Sequence, residues 1–106
     1  PNMIHAGCYS GTLHFLKTVA AMGVPAAKAS GLDLVNRMKA QPSEDDLYGK
    51  ATIRADGRRL IPSYLFEVKS PAESKKPWDY YKLLQTTPAE EAFRPIGEGG
   101  CALVRS

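Results

Sequence analysis

The sequence predicts an α/β fold in which two helices are followed by a β-hairpin and an irregular C-terminal tail. Apolar residues recur at helical spacing over the first forty positions. Two aromatic, β-prone runs then flank a polar loop that contains two prolines. Residues 97–106 begin with a cluster of glycines and show no periodic pattern, which is typical of a loop.

The first helix is predicted over Ser10–Met22. Ser10 is a suitable N-cap, and Gly23 followed by Pro25 is a suitable stop signal. The apolar side chains spread around much of its circumference: Leu13, Phe15, Leu16, Val19, Ala20 and Met22. A helix with so wide an apolar surface is expected to have neighbours on more than one side.

The second helix is predicted to begin between Pro25 and Ser30 and to end at Ala40, because Pro42 follows. Gly31 weakens its first half, so the start is left open between those two positions. The apolar residues of this segment are Leu32, Leu34, Val35 and Met38. Their spacing predicts one buried face.

The strands are predicted in the second half of the chain. Ala51–Ala55 suits a short strand, and Asp56–Gly57 suits a hairpin turn. Tyr64–Lys69 is the clearest strand, with apolar side chains alternating along it. The polar loop Ser70–Pro77 then leads to Trp78–Thr87, for which an antiparallel return strand is favoured over a helix.

Length and charge exclude several classes of protein. A chain of 106 residues forms one domain at most. Its net charge of +3 is mild, and the basic residues are scattered among eleven acids, so nucleic-acid binding is not expected. No stretch approaches the ~20 apolar residues that span a bilayer. Residues 1–20 also lack the charged start and short apolar segment of a signal peptide.

The titratable residues do not form a recognisable catalytic or metal-binding pattern. His5 and His14 are nine positions apart, and no cysteine or acid completes a metal site with them. Cys8 could pair with either histidine as a nucleophile, but nothing marks the orienting group or oxyanion site that such a pair needs. Glu44–Asp46 and Arg58–Arg59 are interpreted as solvated surface charge. We therefore expect no enzyme activity, no metal and no cofactor.

Several stretches, taken in order, resemble the type I periplasmic binding proteins. The subgroup is the leucine/isoleucine/valine-binding-like receptors, which include binders of aromatic carboxylates. The matching stretches are Ala6–Ser10, Asp56–Arg59, Tyr64–Lys75, Pro77–Lys82, Glu91–Pro95 and Gly100–Val104. The chain departs from the family at Cys8, where valine is common, at Ala102, where proline is common, and at Ser63, where methionine is frequent.

The resemblance implies that residues 1–106 are the C-terminal portion of a periplasmic ligand-binding domain and form part of one lobe. Such a receptor has two α/β lobes that close on a solute and then dock on an ABC permease. The implied solute is a branched-chain amino acid or an aromatic carboxylate, and the implied location is the periplasm. The alternative is a stand-alone interaction domain derived from this family, without transport function. A third hypothesis is a small enzyme that uses Cys8.

By the same resemblance, the turn before the first helix borders the ligand cleft. Its residues His5, Ala6, Gly7 and Tyr9 are the candidate ligand-binding residues. An aromatic ring and backbone amides there suit an apolar ligand that carries a carboxylate. The alternative is that Tyr9 only packs beneath the start of the helix.

The two cysteines, Cys8 and Cys101, leave two interpretations open. A disulfide between them would close a long loop and stabilise the fold by ~4 kcal/mol. Otherwise both are unpaired thiols. The resemblance implies that the cysteine near the C-terminus pairs with one in an earlier segment, which this sequence does not contain. From the incomplete cleft we also expect weak solute binding and self-association of the isolated chain.

Overall fold

The structure, a computed structural model, describes residues 2–104. Its elements are α1 (Met3–Met22), α2 (Val24–Ala29), α3 (Gly31–Ala40), β1 (Ser43–Asp45), β2 (Gly49–Ile53), β3 (Arg59–Leu60), β4 (Ser63–Val68), β5 (Tyr81–Thr87) and a 3₁₀ turn (Ile96–Gly99). The predicted α/β class is therefore confirmed. No helix within residues 2–104 combines the length and the apolar character needed to cross a membrane.

The first helix begins earlier than the sequence predicted. Asn2 is its N-cap, and the Asn2 side-chain oxygen accepts hydrogen bonds from the backbone N–H of Ile4 at 3.0 Å and of His5 at 3.3 Å. The His5 ring accepts from the backbone N–H of Asn2 at 3.2 Å, which completes a capping box. Ser10, the predicted N-cap, is fully buried inside the helix, so that prediction was wrong. Met22 is the end of α1, as predicted.

The second predicted helix is two helices. Ser30 has extended backbone angles and separates α2 from α3, and its side chain accepts from the backbone N–H of Asp33 at 3.1 Å. This serine therefore caps α3. The two starting points left open by the sequence, near Pro25 and Ser30, correspond to the two helix starts.

The strands form two separate antiparallel sheets. In the first, the order is β1–β2–β3, with Ser43 opposite Ala51. The turn between β2 and β3 contains Gly57 at φ 83°, a left-handed conformation that favours glycine, and this confirms the predicted turn. In the second sheet β4 pairs with β5, which confirms the predicted hairpin and excludes the helical alternative for its return segment.

Few residues are buried, and most of these are polar. The buried apolar side chains within residues 2–104 are Ala27, Leu34 and Ala51; the buried polar ones are Ser10, His14, Thr18 and Ser43. Many large apolar side chains remain exposed, including Ile4, Phe15, Leu16, Leu32, Phe66 and Trp78. Helix α1 thus turns a polar stripe toward β1 and the end of α3 and leaves much of its apolar surface uncovered.

Candidate functional site

The uncovered side of α1 carries the candidate ligand-facing surface. With roughly 3.6 residues per turn, the buried residues Ser10, His14 and Thr18 define one side of the helix. His5 and Tyr9 lie on the other side, where both are exposed. A shallow depression on that side is lined by Cys8, Tyr9, Thr12, Leu13 and Leu16.

The four candidate residues lie within the first turns of α1, not in a turn that precedes it. Because residues four apart share a helix face, His5 and Tyr9 point in similar directions, and the structure brings these two together. Ala6 and Gly7 are offset around the helix axis. Ala6 is half-buried, and Gly7 is exposed with no atom within 4 Å of the position that a Cβ would take.

The backbone amides at the start of α1 are already hydrogen-bonded. The amides of Ile4 and His5 donate to the Asn2 side chain, and the amide of Ala6 donates to the Asn2 carbonyl oxygen at 3.1 Å. The expectation that free amides here would bind a carboxylate came from placing these residues in a loop. The capping box removes that role from them.

Tyr9 is held by an acid from the sheet. Its hydroxyl donates to a carboxylate oxygen of Asp46 at 2.8 Å. This hydrogen bond, together with the negative charge of Asp46, raises the pKa of the Tyr9 hydroxyl. Tyr9 is nevertheless 49% exposed, so it does not simply pack beneath the helix. The tyrosine ring and the exposed Asp46 carboxylate thus lie side by side at the edge of the uncovered face.

Asp45, the neighbouring acid, anchors α1 to the sheet. Its side chain is only 2% exposed. One carboxylate oxygen accepts from the backbone N–H of Leu47 at 2.9 Å and of Tyr48 at 2.7 Å, and the other accepts from Ser10 and from Arg59. Burial raises the pKa of Asp45, but these hydrogen bonds outweigh it and bring the pKa down to about 2.

Arg59 extends this cluster across the sheet. It donates to Asp45 at 3.3 Å and to the hydroxyl of Ser43 at 2.8 Å, and its guanidinium lies 5.9 Å from the centre of the Tyr48 ring. The interpretation of Glu44–Asp46 and Arg58–Arg59 as solvated charge was therefore wrong for Asp45 and Arg59. Ser10 and Arg59, the partners that Asp45 has in other elements of the fold, are not indicated by any local pattern.

His14 is a packing residue, buried where α1 meets the end of α3. Its Nε2 lies 3.1 Å from the carbonyl oxygen of Gln41, and its own carbonyl oxygen accepts from the Thr18 hydroxyl at 2.8 Å. Burial lowers the pKa of the imidazole, which favours the neutral form. Lys17 adds a further link, donating to the carbonyl oxygen of Glu44 at 2.7 Å.

The cysteines and acids do not form a reactive centre in the described part of the chain. Cys8 is exposed and Cys101 is half-buried, and both are free thiols, so the disulfide alternative is not realised. Within residues 2–104 no three histidine, cysteine or acidic side chains cluster closely enough to hold a metal ion.

Sequence reasoning missed Asp46, Asp45 and Arg59. For Asp45, one signal of its hydrogen bonding was present in the local sequence. An aspartate that precedes a short turn often accepts from the amides two and three residues later, as Asp45 does from Leu47 and Tyr48. The bonds from Tyr9 and Ser10 join positions 37 and 35 residues apart, and these need the fold.

Comparison with known proteins identifies the fold. No protein-family model and no curated protein matches the chain. Two solved structures do. One is a periplasmic binding protein from Burkholderia mallei, 39% identical over 94% of this chain with a TM-score of 0.78. The other is a branched-chain amino acid ABC transporter periplasmic ligand-binding protein from Burkholderia xenovorans LB400, 32% identical over 97% of this chain with a TM-score of 0.79.

The match covers only part of those proteins. The chain spans 25% of the first structure and 26% of the second. The common segment includes both the helical part and the two small sheets, because nearly all of this chain aligns. In sequence and in fold the chain is therefore similar to a segment of these periplasmic binding proteins.

Proposed function

We propose that the chain is part of the solute-binding component of an ABC importer, acting in the periplasm and delivering a branched-chain amino acid or an aromatic carboxylate to a membrane permease. The observation that carries this proposal is the likeness to two periplasmic binding proteins at 39% and 32% identity over nearly the whole chain. The role is binding and release, with no bond made or broken in the solute. The location and the permease partner follow from the same likeness.

In this proposal the uncovered face of α1 forms one wall of the cleft. The side chains that face the solute are His5 and Tyr9. Ala6 carries only a methyl group and Gly7 has no side chain, so these two residues leave space for the solute beside the helix. Leu13 and Leu16, further along the same depression, offer apolar surface for an aliphatic or aromatic body. The second lobe supplies the opposite wall, and closure is favoured because the bound solute then contacts both lobes.

The Asp46 carboxylate favours an amino acid over a simple carboxylate as the solute. It lies within hydrogen-bond distance of the Tyr9 hydroxyl and is exposed. A solute ammonium group would be attracted to this carboxylate, whereas a solute carboxylate would be repelled. Since the first amides of α1 are occupied by their cap, the carboxylate of the amino acid is expected to bind the other lobe.

The test is a comparison of matched ligands on the complete gene product that contains this segment. Leucine is compared with 4-methylpentanoate, which lacks the ammonium group, and phenylalanine with 3-phenylpropanoate. We expect thermal shifts with one or both amino acids and much smaller shifts with the deaminated acids. Asp46→Asn is expected to weaken amino-acid binding by about tenfold.

Glu44→Gln is the matched control, because Glu44 is an exposed acid of the same segment whose side chain makes no hydrogen bond within residues 2–104. Equal affinity in the Asp46→Asn variant would contradict the role of Asp46. Absence of any shift across the ligand panel would contradict the solute-binding role itself.

The isolated 106-residue chain is expected to behave differently from the complete receptor. With one wall of the cleft it should not bind these solutes at micromolar concentration, as judged by calorimetry. Its uncovered apolar side chains, Ile4, Phe15 and Leu16 among them, favour self-association. Light scattering over a dilution series tests this, and a compact monomer at every concentration would favour the stand-alone interaction domain.

A further inference from the structure

A second concavity lies where the β2–β3 turn meets the segment that follows β5. Its volume is about 180 Å³. The residues that line it include Arg54, Asp56, Arg58, Phe93, Arg94 and Cys101. It shares no residue with the depression on α1. Two of the stretches that carry the family resemblance, Asp56–Arg59 and Glu91–Pro95, meet here.

Arg54 fixes the floor of this cleft. Its guanidinium makes two hydrogen bonds to Asp56, at 2.6 and 3.2 Å, one to each carboxylate oxygen. A third bond runs to the carbonyl oxygen of Arg94 at 3.0 Å. The last of these bonds joins positions 40 residues apart, so it holds the two segments together. The same guanidinium balances the charge of Asp56, the one acid among the described residues of the lining.

The other two guanidinium groups, those of Arg58 and Arg94, are not hydrogen-bonded to the Asp56 carboxylate. Arg58 lies over the ring of Phe93, 5.4 Å from its centre, and this contact orients the side chain. Arg94 lies against Gly99, where a Cβ would come 3.6 Å from the guanidinium. Within residues 2–104 neither guanidinium makes a hydrogen bond or an ion pair.

The lining therefore holds three positive charges and one negative charge. Arginine presents a planar fork of donors that matches the oxygens of phosphate and carboxylate groups. A volume of about 180 Å³ is below the ~300–1,000 Å³ of sites for drug-sized ligands, which limits the ligand to a small group.

We propose that this arginine cleft is an anion-binding site that takes a small oxyanion, with a phosphate-type dianion favoured over a monocarboxylate. The preference follows from the two uncompensated guanidinium groups, which together match a double negative charge. Arg58 and Arg94 bind the anion, while Arg54 and Asp56 position the backbone around it. The inference does not depend on the solute-binding role, because it concerns different residues.

The experiment uses the 106-residue chain and follows its backbone amides by NMR during titration with inorganic phosphate at constant ionic strength. We expect saturable shifts at Arg58, Phe93 and Arg94, and weaker binding of acetate. Arg58→Ala and Arg94→Ala should each weaken phosphate binding by about tenfold, as expected for the loss of a charge-assisted hydrogen bond. Arg58→Lys, which keeps the charge but loses the fork, should fall between wild type and alanine.

Arg37→Ala is the matched control, because Arg37 is an exposed arginine on α3 outside the cleft, and its loss should leave phosphate binding unchanged. Shifts that do not saturate, or that appear equally at lysines and arginines throughout the chain, would overturn the proposal. So would unchanged binding in Arg58→Ala and Arg94→Ala. Folding of each variant is checked by circular dichroism, and Arg58→Lys keeps the test decisive if an alanine variant fails to fold.

Discussion

The junction between α1 and the β1–β3 sheet and the β4–β5 hairpin are stabilised in opposite ways. At the junction the decisive contacts are long-range and polar: Ser10 bonds to Asp45 across 35 positions, and His14 lies against Gln41 across 27. In the hairpin the contacts are local, such as the Lys69–Asp79 ion pair at 2.7 Å. Every residue of β4 is exposed.

The hairpin carries apolar side chains without covering them. Tyr64, Phe66 and Tyr81 form a row of rings with centres 6.0 and 5.8 Å apart, and all three are at least 36% exposed. A two-stranded hairpin by itself is marginally stable in water. We therefore expect this surface to gain its stability from neighbours that the chain does not supply.

Burial within this chain follows polar complementarity more than apolar content. The buried carboxylate of Asp45 is tolerated because Ser10, Arg59 and two backbone amides satisfy it. The apolar faces of α1 and the hairpin stay open. Buried polar contacts beside uncovered apolar faces are expected for a chain that spans only a quarter of the proteins it matches.

The largest effect is expected from Asp45→Ala. The change leaves Arg59 without its carboxylate partner and removes the acceptor of Ser10. Removal of one partner of a buried ion pair costs about 3–5 kcal/mol, and we expect the lower end because Arg59 is 18% exposed. Urea denaturation followed by circular dichroism measures the loss in the free energy of unfolding.

Asp46→Ala is the control for this variant, because Asp46 is exposed and, among residues 2–104, its side chain bonds only to the hydroxyl of Tyr9. We expect a loss of about 1 kcal/mol or less. Similar losses in the two variants would show that Asp45 is not the anchor. Amide exchange in β4 and β5 should be the same in Asp45→Ala as in the wild type, since within residues 2–104 no hydrogen bond or ion pair joins these strands to the cluster.

The next largest effect is expected at low pH, where protonation of Asp45 should destabilise the junction. The pKa of Asp45 is about 2 in the folded chain, below its ordinary value of 3.8. Folding therefore gains stability from this group above pH 3.8, and that gain is lost as the pH falls toward 2. Urea midpoints measured between pH 5 and pH 2 should fall steeply in the wild type. The fall should be shallower in Asp45→Asn; an equal slope would assign the effect to other acids.

Local sequence patterns predicted the local parts of the fold. The β4–β5 hairpin and the Gly57 turn were predicted correctly because each depends on neighbouring residues. The start of α1 was missed because the cap is an asparagine paired with His5, a less common form of the capping box. The burial of Asp45 could not be predicted, since two of its partners are supplied by α1 and β3.

The candidate site was predicted from resemblance, and its local geometry was not. His5 and Tyr9 share a helix face, whereas Ala6 and Gly7 do not join them there. The contact of Tyr9 with Asp46 spans 37 positions and includes the carboxylate on which the proposed solute preference depends. No local sequence window contains that contact, so the proposed preference for an ammonium group depends on the fold.

The smallest effect is expected from Phe66→Ala in the hairpin. Phe66 pairs with Leu83 and lies between the rings of Tyr64 and Tyr81, so its loss removes two aromatic contacts worth about 0.5–1.5 kcal/mol each. Because the ring is 49% exposed, we expect a total near 1 kcal/mol. Faster amide exchange should appear in β4 and β5 only.

Leu65→Ala, on the opposite face of β4, is the control and should change exchange less. Loss of protection in α1 as well would show that the hairpin and the junction unfold together, and the two regions would then share one source of stability.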